Sequence, residues 1–215
     1  VKVNVMDENG LVPASQPVST TSSNSSQTVT TTVTTSAVPV KNDSGVTYIQ
    51  GILIANKTYG LPEDYNPGLD SEAESAFNTL SEAAANQGLD IYLSSGFRSY
   101  ETQARIYGSY VDSYGKESAD TFSARPGYSE HQTGLAIDVN TIDDSFAGTP
   151  EAEWLAKHAY EYGFIIRYPK GKESITGYKY EPWHIRYLGV EKATEVYNSG
   201  LTLEEFLGID SEYKD

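Results

Sequence analysis

Strands and helices succeed one another in this chain without a βαβ rhythm. That predicts an α+β fold: a small, mostly antiparallel sheet with packed helices, preceded by a flexible tail. Two observations carry the prediction. Short apolar runs of strand length are interspersed with longer segments whose apolar residues recur at helical spacing. The first part of the chain also has a composition unlike the rest.

The composition shift divides the chain near residue 45. Residues 19–36 are almost wholly Ser, Thr, Asn, Gln and Val, with neither a charge nor an aromatic ring. Such a segment cannot bury enough apolar area to offset its ordering entropy. Residues 1–45 therefore read as a flexible stalk, a spacer holding a domain away from a membrane or wall. The Thr-Val alternation at 28–34 keeps some strand propensity. Residues 46–215 have the composition of a globular domain.

Within the domain, residues 49–55 read as a short strand, and 61–68 as a loop with two prolines and a closing glycine. Asp70 suits the N-cap of a helix over 71–86, with Ala73, Ala76, Phe77, Leu80 and Ala84 on one face and Gly88 past its end. Residues 89–94 alternate as a strand does, and a second helix spans 100–114. Residues 135–139 form an apolar strand. Pro150 opens a helix over 150–162 that Gly163 follows. Residues 164–168 and 183–187 are further strands, and 190–199 and 203–207 two short helices.

The 215 residues suffice for one domain with a sizeable core. The net charge of -15 argues against nucleic acid and against adhesion to an anionic membrane surface, both of which need clustered Lys and Arg. Cysteine is absent, so disulfides, thiol nucleophiles and thiolate metal ligands are excluded. No apolar run is long enough to insert stably in a membrane. The start at Val1 leaves room for a signal or anchor removed upstream.

The chain has three histidines, and two of them lie in chemically loaded segments. SEHQTGLAID occupies 129–138 and EPWH occupies 181–184. With 135–139 as a strand, Asp138 projects to one face. His131 lies on the incoming loop, and Gly134 lets the backbone bend so that the two side chains converge. His184 belongs to the next strand of the site. Two neutral imidazoles and one carboxylate suit Zn²⁺ and leave a position for water, and without thiolates a closed structural site is disfavoured. Glu181 is then free to act as the base on metal-bound water. His158 shares a helix face with Trp154, Leu155, Ala159 and Tyr162, and reads as a packing residue.

Arg98 stands where a strand gives way to a helix, placed to bind a substrate carboxylate or an oxyanion. Arg125, in ARPG at 124–127, competes for that role but reads as a support for its loop. Tyrosine is abundant, with 17 residues, and Tyr128, Tyr168 and Tyr187 fall near the motifs. Most such tyrosines serve as amphipathic packing.

SGFRSYETQ, GYSEHQTGLAIDV and YEPWHIRYLG, in this order, with YGFIIRYP at 162–169, resemble the zinc D,D-/L,D-carboxypeptidases of peptidoglycan metabolism (peptidase family M15). That group contains the vancomycin-resistance D,D-carboxypeptidases and the streptococcal and bacillary L,D-carboxypeptidases. The similarity covers roughly residues 48–208. It implies a hedgehog/D,D-peptidase-like fold, Zn²⁺ on His131, Asp138 and His184, and Glu181 as catalytic base. It implies that Arg98 stabilises the substrate carbonyl or binds the terminal carboxylate, and that Gln103 and Ser129 contact the substrate. The implied partner is a peptidoglycan stem peptide losing its terminal D-alanine. The implied setting is a monomer facing the cell wall from outside the membrane. The alternatives are a wall endopeptidase and a non-catalytic zinc-binding wall protein. Neither the resemblance nor the residues choose between D,D- and L,D-cleavage.

Overall fold

The computed structural model describes residues 38–214. The polar stretch read as a stalk lies outside them as far as residue 37. Three short strands come first: β1 (Val40–Lys41), β2 (Thr47–Ile49) and β3 (Ile52–Ile54), paired antiparallel in that order. The single strand expected at 49–55 is thus a hairpin. Gln50 and Gly51 both adopt positive φ, 51° and 79°, the requirement of the tight two-residue turn that matches strand twist. The apolar run hid this turn because Gln is not a typical residue at its first position.

The main sheet contains β4 (Leu93–Ser95), β5 (Ala136–Val139), β6 (Phe164–Tyr168) and β7 (Glu181–Tyr187). Its order is β4-β5-β7-β6, and every pairing is antiparallel. The strand expected at 89–94 is shorter and later. The Asn140 side chain donates to the Asp90 carbonyl at 2.6 Å and replaces ladder pairing there.

Helix α1 (Ser71–Ala85) starts at Asp70, whose Oδ1 accepts from the backbone N–H groups of Glu72 and Ala73, both at 2.9 Å. Helix α2 (Tyr100–Tyr114) is capped by Ser99 and followed by the one-turn α3 (Lys116–Ala119). Helix α4 (Pro150–His158) tightens into a 3₁₀ turn over Ala159–Tyr162, so the helix expected at 150–162 ends in a different geometry. After α5 (Glu173–Thr176), helices α6 (Val190–Ser199) and α7 (Leu203–Leu207) close the chain as expected.

Two apolar clusters anchor the sheet. Phe77, Leu80 and Ala84 of α1 pack with Ile137, Phe164, Ile185 and the α4 residues Trp154 and Leu155. Ile49, Ile52 and Ile54 of the hairpin pack with Ile165, Val196, Leu203 and Leu207. Each of the larger side chains contributes about 1.5–3 kcal/mol on burial. These clusters hold β5 and β7 in fixed register, and those two strands carry the polar site.

Candidate metal centre

Asp138 of β5 pairs directly across the ladder with His184 of β7. Residues opposite each other in an antiparallel pair share a face, and Asp138 Oδ1 lies 3.0 Å from His184 Nδ1. His131 comes from the 3₁₀ turn Glu130–Thr133 just before β5, where the Ser129 hydroxyl accepts from the His131 backbone N–H at 3.3 Å. Gly134 then turns the chain into the strand with φ 76°. A Cβ there would stand 2.1 Å from the Gly68 carbonyl oxygen, so only glycine fits. His131 Nε2 arrives 2.9 Å from Asp138 Oδ2. One ligand atom from each of His131, Asp138 and His184 falls within a 4.8 Å set.

Both rings are held by their second nitrogen. His131 Nδ1 lies 2.7 Å from the Gly96 carbonyl, which can only accept; the proton is therefore on Nδ1, and Nε2, 2.9 Å from Asp138 Oδ2, is the nitrogen that can bind an ion placed between the two side chains. His184 turns Nε2 toward Glu130 Oε2 at 3.4 Å and Nδ1 toward Asp138. A fixed acceptor on the far nitrogen is what a metal-binding imidazole needs. The three side chains are almost fully buried. Burial alone would raise the Asp138 pKa, but His131 and then His184 hold its carboxyl well below the usual carboxylate range. Burial lowers His131. Burial also opposes charge on His184, yet hydrogen bonds to Asp138 and Glu130 push it up to about 9. The Asp138 and Glu130 carboxylates thus favour positive charge beside His184, while burial disfavours it on His131. Two nitrogens and one carboxylate beside an open cavity fit a catalytic zinc ion.

Glu181 reaches the same cavity through an irregularity in the sheet. The β6–β7 register passes from Ile166↔Ile185 to Tyr168↔Glu181, leaving extra residues on β7 around Pro182, which has no N–H to give a ladder. Residues three apart in a regular strand would face opposite ways. Here Glu181 Oε2 lies 4.0 Å from His184 Nδ1. Burial raises its pKa to about 7, partly offset by His184. The cavity has a volume of about 430 Å³ and also receives Arg98, Gln103 and Ser129.

Arg98 is fixed from three directions. Its backbone N–H donates to the His131 carbonyl at 3.1 Å. Its guanidinium donates to Gln103 Oε1 at 3.0 Å and to Ser95 Oγ at 3.2 Å, and lies 3.7 Å from Asp138 Oδ2. Gln103 is the only buried residue of α2, and its amide donates to the Ala124 carbonyl at 2.7 Å.

Other residues singled out by sequence lie elsewhere. His158 pairs with Glu161 at 2.9 Å and packs on Trp154. Arg125 forks onto Asp120 and covers the Tyr213 ring, which braces its loop. Tyr128 packs on Tyr213, and Tyr187 on Phe164. Tyr168 does join the site, its ring 4.9 Å from that of His184. The sequence reading passed over Glu130, which is buried against His184, Arg167 and Arg186. A signal existed: Arg167 and Arg186 sit inside apolar strands, and buried guanidinium groups require carboxylate partners.

A family model described as VanY, D-alanyl-D-alanine carboxypeptidase, matches residues 66–190. A protein named as a carboxypeptidase, YodJ of Bacillus subtilis (strain 168), is 37% identical over 196 residues, covering 78% of this chain and 72% of its own. Among solved structures, the L,D-carboxypeptidase DacB of Streptococcus pneumoniae matches with a TM-score of 0.74 and 48% identity, over 82% of this chain and 98% of that one. A variant of the vancomycin resistance D,D-pentapeptidase VanY, in complex with Zn(II), matches with a TM-score of 0.65 and 36% identity, over 72% of this chain and 97% of that one.

Proposed function

The chain belongs to the VanY family of D-alanyl-D-alanine carboxypeptidases, and on that premise we propose how its own residues act on the D-alanine end of a peptidoglycan stem peptide. The enzyme is a zinc-dependent carboxypeptidase. The observation that carries our assignment of roles is the convergence of His131, Asp138, His184, Glu181 and Arg98 on one cavity. His131 Nε2, an Asp138 oxygen and His184 Nδ1 would hold the ion. When bound, zinc supplies a Lewis acid and lowers the pKa of the attacking water. Glu181 takes the proton from that water and delivers it to the leaving amine. Water adds to the scissile carbonyl, the C–N bond breaks, and D-alanine leaves as the free amino acid. Arg98 binds the developing oxyanion or the terminal carboxylate. Ser129 lines the cavity beside it and contacts the substrate peptide, while Gln103 acts through Arg98.

Of the two bonds, we favour the L,D bond of the tetrapeptide. Support comes from 48% identity with an L,D-carboxypeptidase against 36% with a D,D-pentapeptidase. Such a substrate sets the enzyme at the cell wall, and the uncharged composition of residues 19–36 supports a spacer role for the segment before the domain. The test is mass spectrometry of defined tetra- and pentapeptide muropeptides incubated with the enzyme, with and without a chelator. One D-alanine should leave the tetrapeptide faster than the pentapeptide, and only without chelator. Preference for the pentapeptide would reverse the choice of bond. Intact substrates with zinc present would remove the carboxypeptidase assignment. Loss of cross-links with termini untouched would favour an endopeptidase.

A further inference from the structure

We propose that Glu130 is a positioning residue, a carboxylate locked between two arginines that holds the His184 ring with its Nδ1 lone pair facing the metal. This rests on the reading above that His184 binds through Nδ1.

Glu130 is 2% exposed. Its Oε1 accepts from Arg167 Nε at 2.7 Å and from Arg186 Nη1 at 2.8 Å. Neither arginine can swing away. Both are 1% exposed; Arg167 is held by Glu204 through a two-pronged pair, and Arg186 Nη2 donates to the Leu53 carbonyl at 2.6 Å. The carboxylate plane is thereby fixed, and Oε2 faces His184 Nε2 at 3.4 Å.

The ring of His184 has little other freedom. Tyr168 covers it at 4.9 Å and His131 meets it edge-on at 4.9 Å. Only a half-turn flip stays open, and the flip would set carbon atoms against both carboxylates. A carboxylate accepts but does not donate. Asp138 Oδ1, 3.0 Å from Nδ1, accepts equally, but the other ligand atoms lie on that side; an ion there would take the Nδ1 lone pair and leave the Nε2 proton to Glu130. A charged acceptor also raises the ligand's basicity, and removing such partners elsewhere weakens metal binding about 10–100-fold.

Glu130→Met alone leaves Arg186 buried without its partner and risks misfolding. The double variant E130M/R186M removes the pair together, keeps similar volume, and leaves Arg167 with Glu204. We expect it to melt near the wild type, to bind zinc about 10–100-fold more weakly in competition with a chelating dye, and to lose kcat more than KM. A folded double variant with zinc affinity within about twofold of wild type overturns the proposal. Should it fail to fold, ¹⁵N NMR of the His184 ring in the zinc-loaded wild type decides: a proton on Nε2 supports the role, and a proton on Nδ1 ends it. His184→Ala separates the two readings. If H184A still binds zinc as tightly, the ligand assignment itself fails. If H184A loses zinc and E130M/R186M does not, only the role of Glu130 fails.

Discussion

Gln103 aims Arg98: its Oε1 lies 3.0 Å from Arg98 Nη1, while its Nε2 is anchored to the Ala124 carbonyl at 2.7 Å. The glutamine thus sets the direction of the guanidinium in the cavity. Arg98→Gln should lower kcat/KM by about 10²–10³, the usual loss when an oxyanion donor is removed. Gln103→Leu should cost about tenfold, and the double variant should be no worse than R98Q, because residues acting as a unit are not additive. Steady-state kinetics on a muropeptide check this. A full tenfold loss from Q103L in the R98Q background would mean that Gln103 acts on the substrate independently.

Glu181 should be separable from metal binding. Its carboxylate stands 4.0 Å from His184 Nδ1, near the ligands yet outside the three-residue set. Glu181→Gln is expected to lower kcat by about 10²–10⁴, the range for general acid–base catalysis. Zinc content by elemental analysis and KM should stay near wild type. A variant that keeps a tenth or more of the rate would place the base elsewhere.

Gly134→Ala should damage both fold and site. The substitution combines φ 76° with a Cβ 2.1 Å from the Gly68 oxygen, and the same turn receives a hydrogen bond from the Asp70 N–H at 3.0 Å. Strain and clash together should cost more than about 2 kcal/mol, a drop in melting temperature of at least about 5 °C. Zinc affinity should fall as well, because His131 lies in the preceding turn. An unchanged melt would show that the α1 entry loop gives way freely.

Asp120 offers a pH signature away from the metal. Burial works to raise its pKa, but Arg125 and Tyr107, with Lys57 nearby, together hold it below the usual carboxylate range. Its folded value is the lower one. The stability it contributes is therefore fully present above the unfolded value of about 3.9 and is lost as pH falls through the folded value. Asp120→Asn should cost about 2 kcal/mol near neutrality. The gap to wild type should narrow below about pH 4. Denaturation series at several pH values would expose an error if the gap stayed constant.

Much of this was legible in the sequence because local signals and tertiary structure agree. Asp70, Pro150 and the glycines past the helices mark their ends by backbone chemistry alone, and α2, α6 and α7 match the expected ranges. His131, Asp138 and His184 could be grouped because each lies at a strand or its entry. The Gln50–Gly51 turn was hidden because its residues lie amid strong strand formers. Glu130 was hidden because its role depends on two arginines that come 37 and 56 residues later. A contact of that range leaves no periodicity to read.

The buried chain of charges has one more consequence, for where this protein's unit of recognition ends and its unit of folding begins. The family match stops at residue 190. Glu204, which grips Arg167, lies beyond it, and Leu53, which receives Arg186, lies before it. A fragment cut to the matched segment would keep every proposed ligand, the base and Arg98. It would also leave two buried cations short of their partners, directly behind the histidine that faces the metal. The stretch by which this lineage is recognised is shorter than the stretch its chemistry needs.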